Sequence, residues 1–367
     1  GIYAFEGGAD AVYLGLSEFS ARKFAVNFSF DHLRRLKKAA VDKGKKIFVA
    51  VNTVIREDEL DNLFKYLYRL SFFEPDALII QDLGMIPIIK KYFPNIPLHA
   101  STQMSVHNSE GARFLQKLGI SRVVLSRELI LSDIKTILKN CPGMEFEVFI
   151  HGALCYSFSG KCLASGFIAG RSANKGECIQ LCRDYYNEEN GASRFLFSCR
   201  DLALYENVRK YAQIGITSLK IEGRMKPPEY SFYASKLYKA IMENRPENEI
   251  ALLKQNLSLI YERYQTEAYM NSSSGNGLIC NSYASHKGIE LGVVEKSLKQ
   301  SFTLKLNHTL SIKDGLSFFE RPGDLEPFKF SVQTIKNQSG REVKWLEAGN
   351  TAEIETEKVP AKGTVIF

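Results

Sequence analysis

Through the first two-thirds of the chain, short apolar and β-branched runs alternate with amphipathic stretches. The alternation recurs every ~20 to 40 residues, the spacing of β/α units. The runs are ADAVYLGL (9–16), KKIFVAVN (45–52), DALIIQD (76–82), PLHASTQ (97–103), RVVLSREL (122–129), EFEVFIHG (145–152), RFLFSC (194–199) and SLKIEG (218–223). Between them, FDHLRRLKKAAVDKG places Leu33, Leu36, Ala40 and Val41 at helical spacing and ends at Gly44, a C-cap residue. GMIPIIKKYFPN, NSEGARFLQKLG and LSDIKTILKNCPG read as helices in the same way. Eight strands interleaved with helices predict an α/β fold, a (β/α)8 barrel of the TIM type. An open doubly wound sheet shares the local pattern, but no GxGxxG follows a strand.

Beyond SLKIEG, YSFYASKLYKAIMEN and EIALLKQNLSLIYERYQTEAY are two helical patterns, and then the texture changes. SSSGNG (272–277) reads as a linker. GIELGVVEKS, SFTLKLN, LSIKDGLSFFE, FKFSVQTIKN, EVKWLEAGNTAEIET and KGTVIF alternate apolar and polar positions with turns between them. They predict a small C-terminal β-barrel. The expected division is residues 1–270 for the β/α domain with its trailing helices and 271–367 for the small barrel.

Where the polar residues fall favours the closed barrel. Asn52, Gln81, Asp82, Ser101, Gln103, Arg127, Glu128, His151, Glu222 and Arg224 sit at or just past the C-terminal ends of predicted strands. In a barrel those ends converge on one mouth, where the loops build an active site. Strands also end in polar residues simply because they reach the surface, so the group carries more weight than any member.

Composition is that of a folded globular protein, with 45% hydrophobic and 24% charged residues, and no apolar run is long enough to span a bilayer. The net charge of +7 is spread along the chain and makes a polyanionic partner such as RNA more plausible without requiring one.

Cysteine placement is more specific. Cys155, Cys162, Cys178 and Cys182 follow EFEVFIHG in the spacing Cys-x6-Cys-x15-Cys-x3-Cys, within a stretch (151–186) rich in Gly, Ser, Lys and Arg. Thiolates on a flexible loop are metal ligands, but this spacing matches neither the usual zinc ribbons nor the ferredoxins. A zinc knot that only ties down the loop is the simpler alternative. Disulfides are disfavoured by the odd total of seven cysteines and by a chain long enough to need no staples. No apolar signal segment opens the sequence, so a reducing, cytoplasmic setting is expected. Cys141, Cys199 and Cys280 read as buried thiols, with Cys199 also placed to serve as an alternative ligand. No HExxH, GxSxG or Ser-His-Asp arrangement is present. Cys155 with His151 is the one nucleophile–base pair to weigh, and four neighbouring thiolates are better explained as ligands. His151 is either a general acid or base or a neutral imidazole held below the barrel mouth.

EVFIHGALCYSFSGKCLAS, NKGECIQLCRDYY, FSCRDL, IEGRMKPPEY and SHKGIELGVV, with the earlier ADAVYLGL, FSARKFAVNFS, QDLG and HASTQMS, resemble the collagenase-like peptidase family U32 over essentially the whole chain. The resemblance implies a (β/α)8 barrel with a C-terminal β-barrel. The family's usual opening strand, of the form ELLAPAG, is expected upstream of Gly1, in which case RFLFSC is an inserted strand. Relatives of this kind resemble iron–sulfur proteins that hydroxylate tRNA uridine or ribosomal RNA cytidine, or serve anaerobic ubiquinone synthesis, without oxygen and with prephenate implicated as hydroxyl source.

By that resemblance Cys155, Cys162, Cys178 and Cys182 hold a [4Fe–4S] cluster, and the partner is tRNA or rRNA. A carboxylate donor such as prephenate would be clamped by Arg127, Arg224 and Lys226, with Arg22 and Gln103 as further substrate contacts. Glu128, Glu222 and His151 would handle protons. Arg183, Tyr185 and Tyr186 are placed to grip and stack on a flipped base or to cover the cluster. The expected function is therefore RNA hydroxylation, with peptidase action as the alternative and a metal-stabilised binding module as a third reading.

Overall fold

The computed structural model describes residues 1–21, 27–189, 193–275, 277–321 and 324–367. They form two compact units. One comprises Gly1–Tyr186, Phe195–Leu257 and Tyr264–Asn281, and the other Asn187–Arg194, Ser258–Arg263 and Ser282–Phe367. Among the described residues no helix is long and apolar enough to cross a membrane.

The first unit is a mixed α/β structure in which strands and helices alternate. Strands β1 (Ala11–Gly15), β2 (Lys46–Val51), β3 (Ala77–Ile80), β4 (Leu98–Ala100), β5 (Arg122–Val124) and β6 (Glu145–Ala153) pair in sequence order, every pair parallel. Ile47 to Val51 and Ala77 to Ile80 are buried at every position, as parallel strands covered on both faces require. Helix α1 (Ile2–Glu6) precedes β1, and α2 (Phe30–Asp42), α3 (Leu60–Ser71), α4 (Met85–Tyr92), α5 (Ser109–Lys117) and α6 (Leu131–Asn140) fill the successive crossovers. Helix α2 starts where Ser29 Oγ accepts the His32 N–H at 3.1 Å while His32 Nδ1 accepts the Ser29 N–H at 3.3 Å, a reciprocal cap. It buries Leu33, Leu36 and Ala40, but Val41, expected on the same face, is exposed.

After β6 the structure departs from simple alternation. The RFLFSC run does not make a sheet strand; of it only Arg194 lies in a two-residue strand and Cys199 makes an isolated bridge to Ile279. Its aromatic rings go elsewhere: Phe195 packs edge-on to Tyr185, and Phe197 to Tyr156 and Tyr186. They cover the cysteine loop rather than extend the sheet. The strand that follows, Asp201–Ala203, pairs antiparallel with His151–Ala153, while Ser218–Ile221 runs parallel to β6 over Glu147 to His151. Gly152 sits at the junction with φ +109, and a Cβ there would run into the Glu222 carbonyl.

One face of this sheet is filled by aromatic and charged side chains. Phe48 packs against His99, the Arg122 guanidinium lies over Phe48, and Lys220 Nζ lies 4.0 Å from the Tyr13 ring centre. Lys220 Nζ is 2.6 Å from Glu147 Oε1, and Ser218 Oγ donates to Glu147 Oε2 at 2.7 Å. Arg122 pairs with Glu145 at 2.6 Å and approaches Glu147 at 3.7 Å. The Tyr13 hydroxyl donates to the Ile221 carbonyl at 3.4 Å and to Glu222 Oε2 at 3.1 Å. Side chains thus bridge β1, first in the order, to the strand Ser218–Ile221.

In the second unit, a six-stranded antiparallel sheet runs in the order Glu342–Val343, Ile335–Lys336, Thr351–Glu355, Ser301–Lys305, Gly292–Ser297, Val365–Ile366. Two further pairs, Leu310–Ser311 with Trp345–Leu346 and Gly315–Phe318 with Phe328–Ser331, lie beside this sheet in the chain. Alternation drives it: Phe302, Leu304, Ala352 and Ile354 point into one core with Phe318, Val332, Ile335 and Ile366.

Candidate functional site

The polar residues at the strand ends sort into two groups. Beyond β5, Glu128 is held by Ser159 from the cysteine loop. Its Oε1 accepts the Ser159 N–H at 2.9 Å and the Ser159 hydroxyl at 3.1 Å. Ser159 Oγ in turn lies 3.4 Å from the Arg127 amide and Nε. His107 completes the group: Nδ1 is 2.8 Å from the Ser105 carbonyl, which can only accept, so Nδ1 carries a proton. Its Nε2 lies 3.3 Å from Glu128 Oε2, a contact that is attractive when a proton sits between ring and carboxylate. Gly160, with φ +75, brings the loop so near Gln103 that a Cβ would strike the Gln103 carbonyl. Gln103 itself follows β4 in a single 3-10 turn, Thr102–Met104.

The second group follows the strand Ser218–Ile221. Glu222 Oε1 accepts the Arg224 amide at 2.8 Å, and Arg224 Nη1 donates to the Ala21 carbonyl at 2.9 Å. Lys226 lies over the Tyr230 ring at 5.8 Å. His151 is buried among Tyr205, Tyr230 and Tyr238, with Nδ1 3.1 Å from the Tyr238 hydroxyl. Burial lowers its pKa to about 4, with Asp201 opposing and Lys226 assisting. At neutral pH this imidazole is uncharged. Arg22, a sequence candidate, lies outside the described residues.

The cysteine loop leaves β6 at Cys155. It contains a short helix, α7 (Ala164–Ala169), and bends in the left-handed region at Gly170, Gly176 and, without glycine's freedom, at Gln180. All seven cysteines are free thiols, with Cys155 and Cys178 exposed and Cys162 and Cys182 half-buried. Cys178 Sγ accepts the Gln180 N–H at 3.3 Å. The Cys182 thiol is pushed up first by burial, then by Cys155 and Cys178, while Arg183 and the Tyr156 amide act the other way. Buried Cys199 is pushed up to about 11 by burial first, with Cys182 and Cys155 adding to it. Cys155, Cys178, Cys182 and Cys199 thus share an electrostatic neighbourhood.

The donor chemistry suits a soft metal centre: free loop thiols, two of them accepting backbone N–H groups. Among the described residues, however, no group of three or more His, Cys, Asp or Glu side chains is drawn together at ligating distance. Arg183, expected as a substrate contact, spends its guanidinium on the protein. It donates to Ser198 Oγ at 2.8 Å, to the Cys199 carbonyl and to the Leu154 carbonyl at 3.2 Å, pinning the rear of the loop. Tyr185 meets Phe195 at 5.1 Å, and the Tyr186 hydroxyl donates to the Leu181 carbonyl at 2.8 Å.

A cavity of about 420 Å³ opens beside the first group, between the ends of β3 and β4. Gln81, Gln103, His107 and Lys161 line it along with the apolar Met104 and Phe114. Both glutamine Oε1 atoms are buried without a hydrogen-bond partner.

The family model described as peptidase family U32 matches residues 1–279. The chain belongs to that family. An uncharacterized protease of Methanocaldococcus jannaschii is 33% identical, over 85% of this chain and 82% of the relative. The tRNA hydroxylation protein P1 of Bacillus subtilis is 30% identical, over 92% of this chain and 84% of the relative. A 23S rRNA 5-hydroxycytidine synthase of Escherichia coli is 34% identical, over 84% of this chain but 49% of the relative. U32 members thus carry both protease and RNA-hydroxylation names.

Sequence reading missed His107, Ser159 and Lys161. Ser159 lies in the cysteine loop, and nothing in one sequence says that its hydroxyl reaches Glu128. His107 follows the β4 turn and was legible only as one more polar residue past a strand end.

Proposed function

We propose that this U32 chain hydroxylates a pyrimidine of tRNA or rRNA, in the cytoplasm and without oxygen, drawing the hydroxyl group from a prephenate-like carboxylate donor. Its first unit is read as a (β/α)8 barrel and the second as a small β-barrel, with the catalytic mouth at the strand ends described above. The observation that carries the reading is the pairing of a loop of free cysteines at the end of β6 with relatives named for RNA hydroxylation. Cys155, Cys162, Cys178 and Cys182 would hold a [4Fe–4S] cluster, with buried Cys199 standing in the neighbourhood of Cys155 and Cys182. Such a cluster supplies the redox or Lewis-acid power that side chains lack for hydroxylating a ring.

The chain's own residues would do the rest. Glu128, fixed by Ser159 and facing His107, is the group placed to move a proton. Arg127, beside the same serine, would hold a donor carboxylate there, and Arg224 and Lys226 would supply cationic charge on the other side of the mouth.

The peptidase reading draws on the relative named as a protease. It needs a base beside Cys155, and His151 instead is buried against tyrosines.

The deciding experiment is iron, sulfide and zinc analysis of protein purified without oxygen, with mass spectrometry of RNA digests from cells lacking the gene. About four irons and four sulfides per chain, lost in Cys178→Ser/Cys182→Ser, and a missing hydroxylated pyrimidine are expected. Zinc alone, with unchanged digests, would overturn the proposal.

A further inference from the structure

We infer that the cavity between the ends of β3 and β4 holds a single unstacked nucleotide, its base edge on Gln81 and Gln103 and its phosphate on Lys161. The inference rests on the reading of the chain as an RNA-acting enzyme and assigns the base to a place that Arg183 and Tyr185 do not provide.

A carboxamide presents a donor and an acceptor side by side, the complement of a base edge, where amine or ring N–H alternates with carbonyl or ring nitrogen. Three carboxamides stand at this cavity: Asn108 Oδ1 accepts the Gly111 N–H at 2.9 Å, while Gln81 and Gln103 each keep an oxygen buried with no partner. A buried acceptor without a donor is unfavourable, and the last torsion of glutamine turns readily. A ligand offering N–H groups therefore relieves both at once. The remaining walls include Met104 and Phe114, apolar surface against which a planar ring can lie. Phe114 is 53% exposed, so the ring would enter from an open side.

Lys161 supplies the charge. It is exposed, lines the cavity and has no ion-pair partner among the described residues, unlike Lys175 of the same loop, which is paired with Glu59 at 2.6 Å. A single ammonium beside three uncharged amides suits a group with one anionic end and a neutral polar ring. A dicarboxylate fits worse, because its second charge would face amide oxygens and the Asp82 carboxylate. The volume, about 420 Å³, is within the range of small-ligand sites. Lys161 immediately precedes Cys162, so a base held here lies beside the thiol-bearing loop.

The test uses the full chain and two probes, cytidine 5′-monophosphate and the nucleoside cytidine, with binding followed by ligand-observed NMR at low salt. Lys161→Ala should weaken the nucleotide by about tenfold and leave the nucleoside unchanged, since only the phosphate contact is lost. Gln81→Leu and Gln103→Leu should weaken both probes alike. Thermal melts of each variant establish that it is folded, and Lys161→Ala, at an exposed position, keeps the test alive if a glutamine variant does not fold. No nucleotide binding to the parent protein, or binding that none of the three changes alters, overturns the inference. RNA digests judge the proposed function separately: nucleotide binding with unchanged digests would sink the hydroxylation reading and leave the pocket standing.

Discussion

Replacing Lys220 by methionine removes one half of the most buried ion pair among the described residues of the first unit. Lys220 and Glu147 are 8% and 6% exposed in their side chains, with Nζ 2.6 Å from Oε1. Removing one partner of a buried pair typically destabilises by about 3 to 5 kcal/mol, because the other charge stays buried. Here Glu147 keeps the Ser218 hydroxyl at 2.7 Å and the Arg122 guanidinium at 3.7 Å. The expected loss for Lys220→Met is therefore at the low end, about 3 kcal/mol. Glu147→Gln leaves the ammonium an amide acceptor and the faces of Tyr13 and Phe149 but takes away its countercharge, and is expected to cost more, toward about 5 kcal/mol. The double variant buries neither charge and should cost clearly less than the sum of the two single changes.

The assay is urea unfolding by far-ultraviolet circular dichroism, with hydrogen exchange read on residues 145–153 and 218–221 so that the first unit is followed by itself. A loss below about 1 kcal/mol in both single variants, or strict additivity in the double, would refute the reasoning. A pH effect accompanies it. Burial raises the Glu147 carboxyl, but Lys220, Ser218 and Arg122 together outweigh burial and hold it below its ordinary 4.5. A lowered carboxyl stabilises the fold fully above that ordinary value and loses the contribution as pH falls through the folded one.

Three further outcomes are expected. His151, at about 4 in the fold against 6.5 when exposed, favours the native state fully above pH 6.5; this contribution, about 3 kcal/mol, is lost as pH falls toward 4, and His151→Gln should flatten that part of a melting-temperature profile. A profile for His151→Gln as steep as the parent's between pH 4 and 6.5 would count against it. Gly160→Ala should disorder the join between the cysteine loop and the β4 turn, because φ is +75 and the added methyl meets the Gln103 backbone; faster proteolysis within 155–186 is the readout, and an unchanged cleavage rate would contradict the contact. Arg183→Ala removes three donations from the rear of the loop, to Ser198, Cys199 and Leu154, and should raise hydrogen exchange at 180–184 while sparing β2 and β3; unchanged protection would show that the guanidinium pins nothing.

The parallel strands were legible because burial on both faces writes a continuous apolar run, and KKIFVAVN and DALIIQD appear as such. The same rule misled at RFLFSC, where an apolar run signals burial without saying what buries it; two of its phenylalanines pack on tyrosines of the cysteine loop. The strand actually used, Asp201–Ala203, is three residues long, too short for periodicity to register. The polar interior of the sheet was also hidden. Arg122, Glu147 and Lys220 are far apart in the chain, and only strand order places them on one another. The cysteine spacing announced a site, but which residues hold the loop, Ser159 at its front and Arg183 at its rear, depends on contacts with Glu128 and Ser198 that no local pattern encodes.

Those two anchors set an order of events during synthesis. The front of the loop ties back to Glu128, already made when Ser159 emerges, but the rear ties forward to Ser198 and Cys199. While the ribosome is still adding residues up to Cys199, the segment bearing Cys178 and Cys182 has its backward ties, Lys175 to Glu59 and Arg183 to the Leu154 carbonyl, but not its forward ones. Only after that point can Arg183 complete its set of acceptors, so the thiols reach their folded setting late, on a scaffold of six strands that has already been translated.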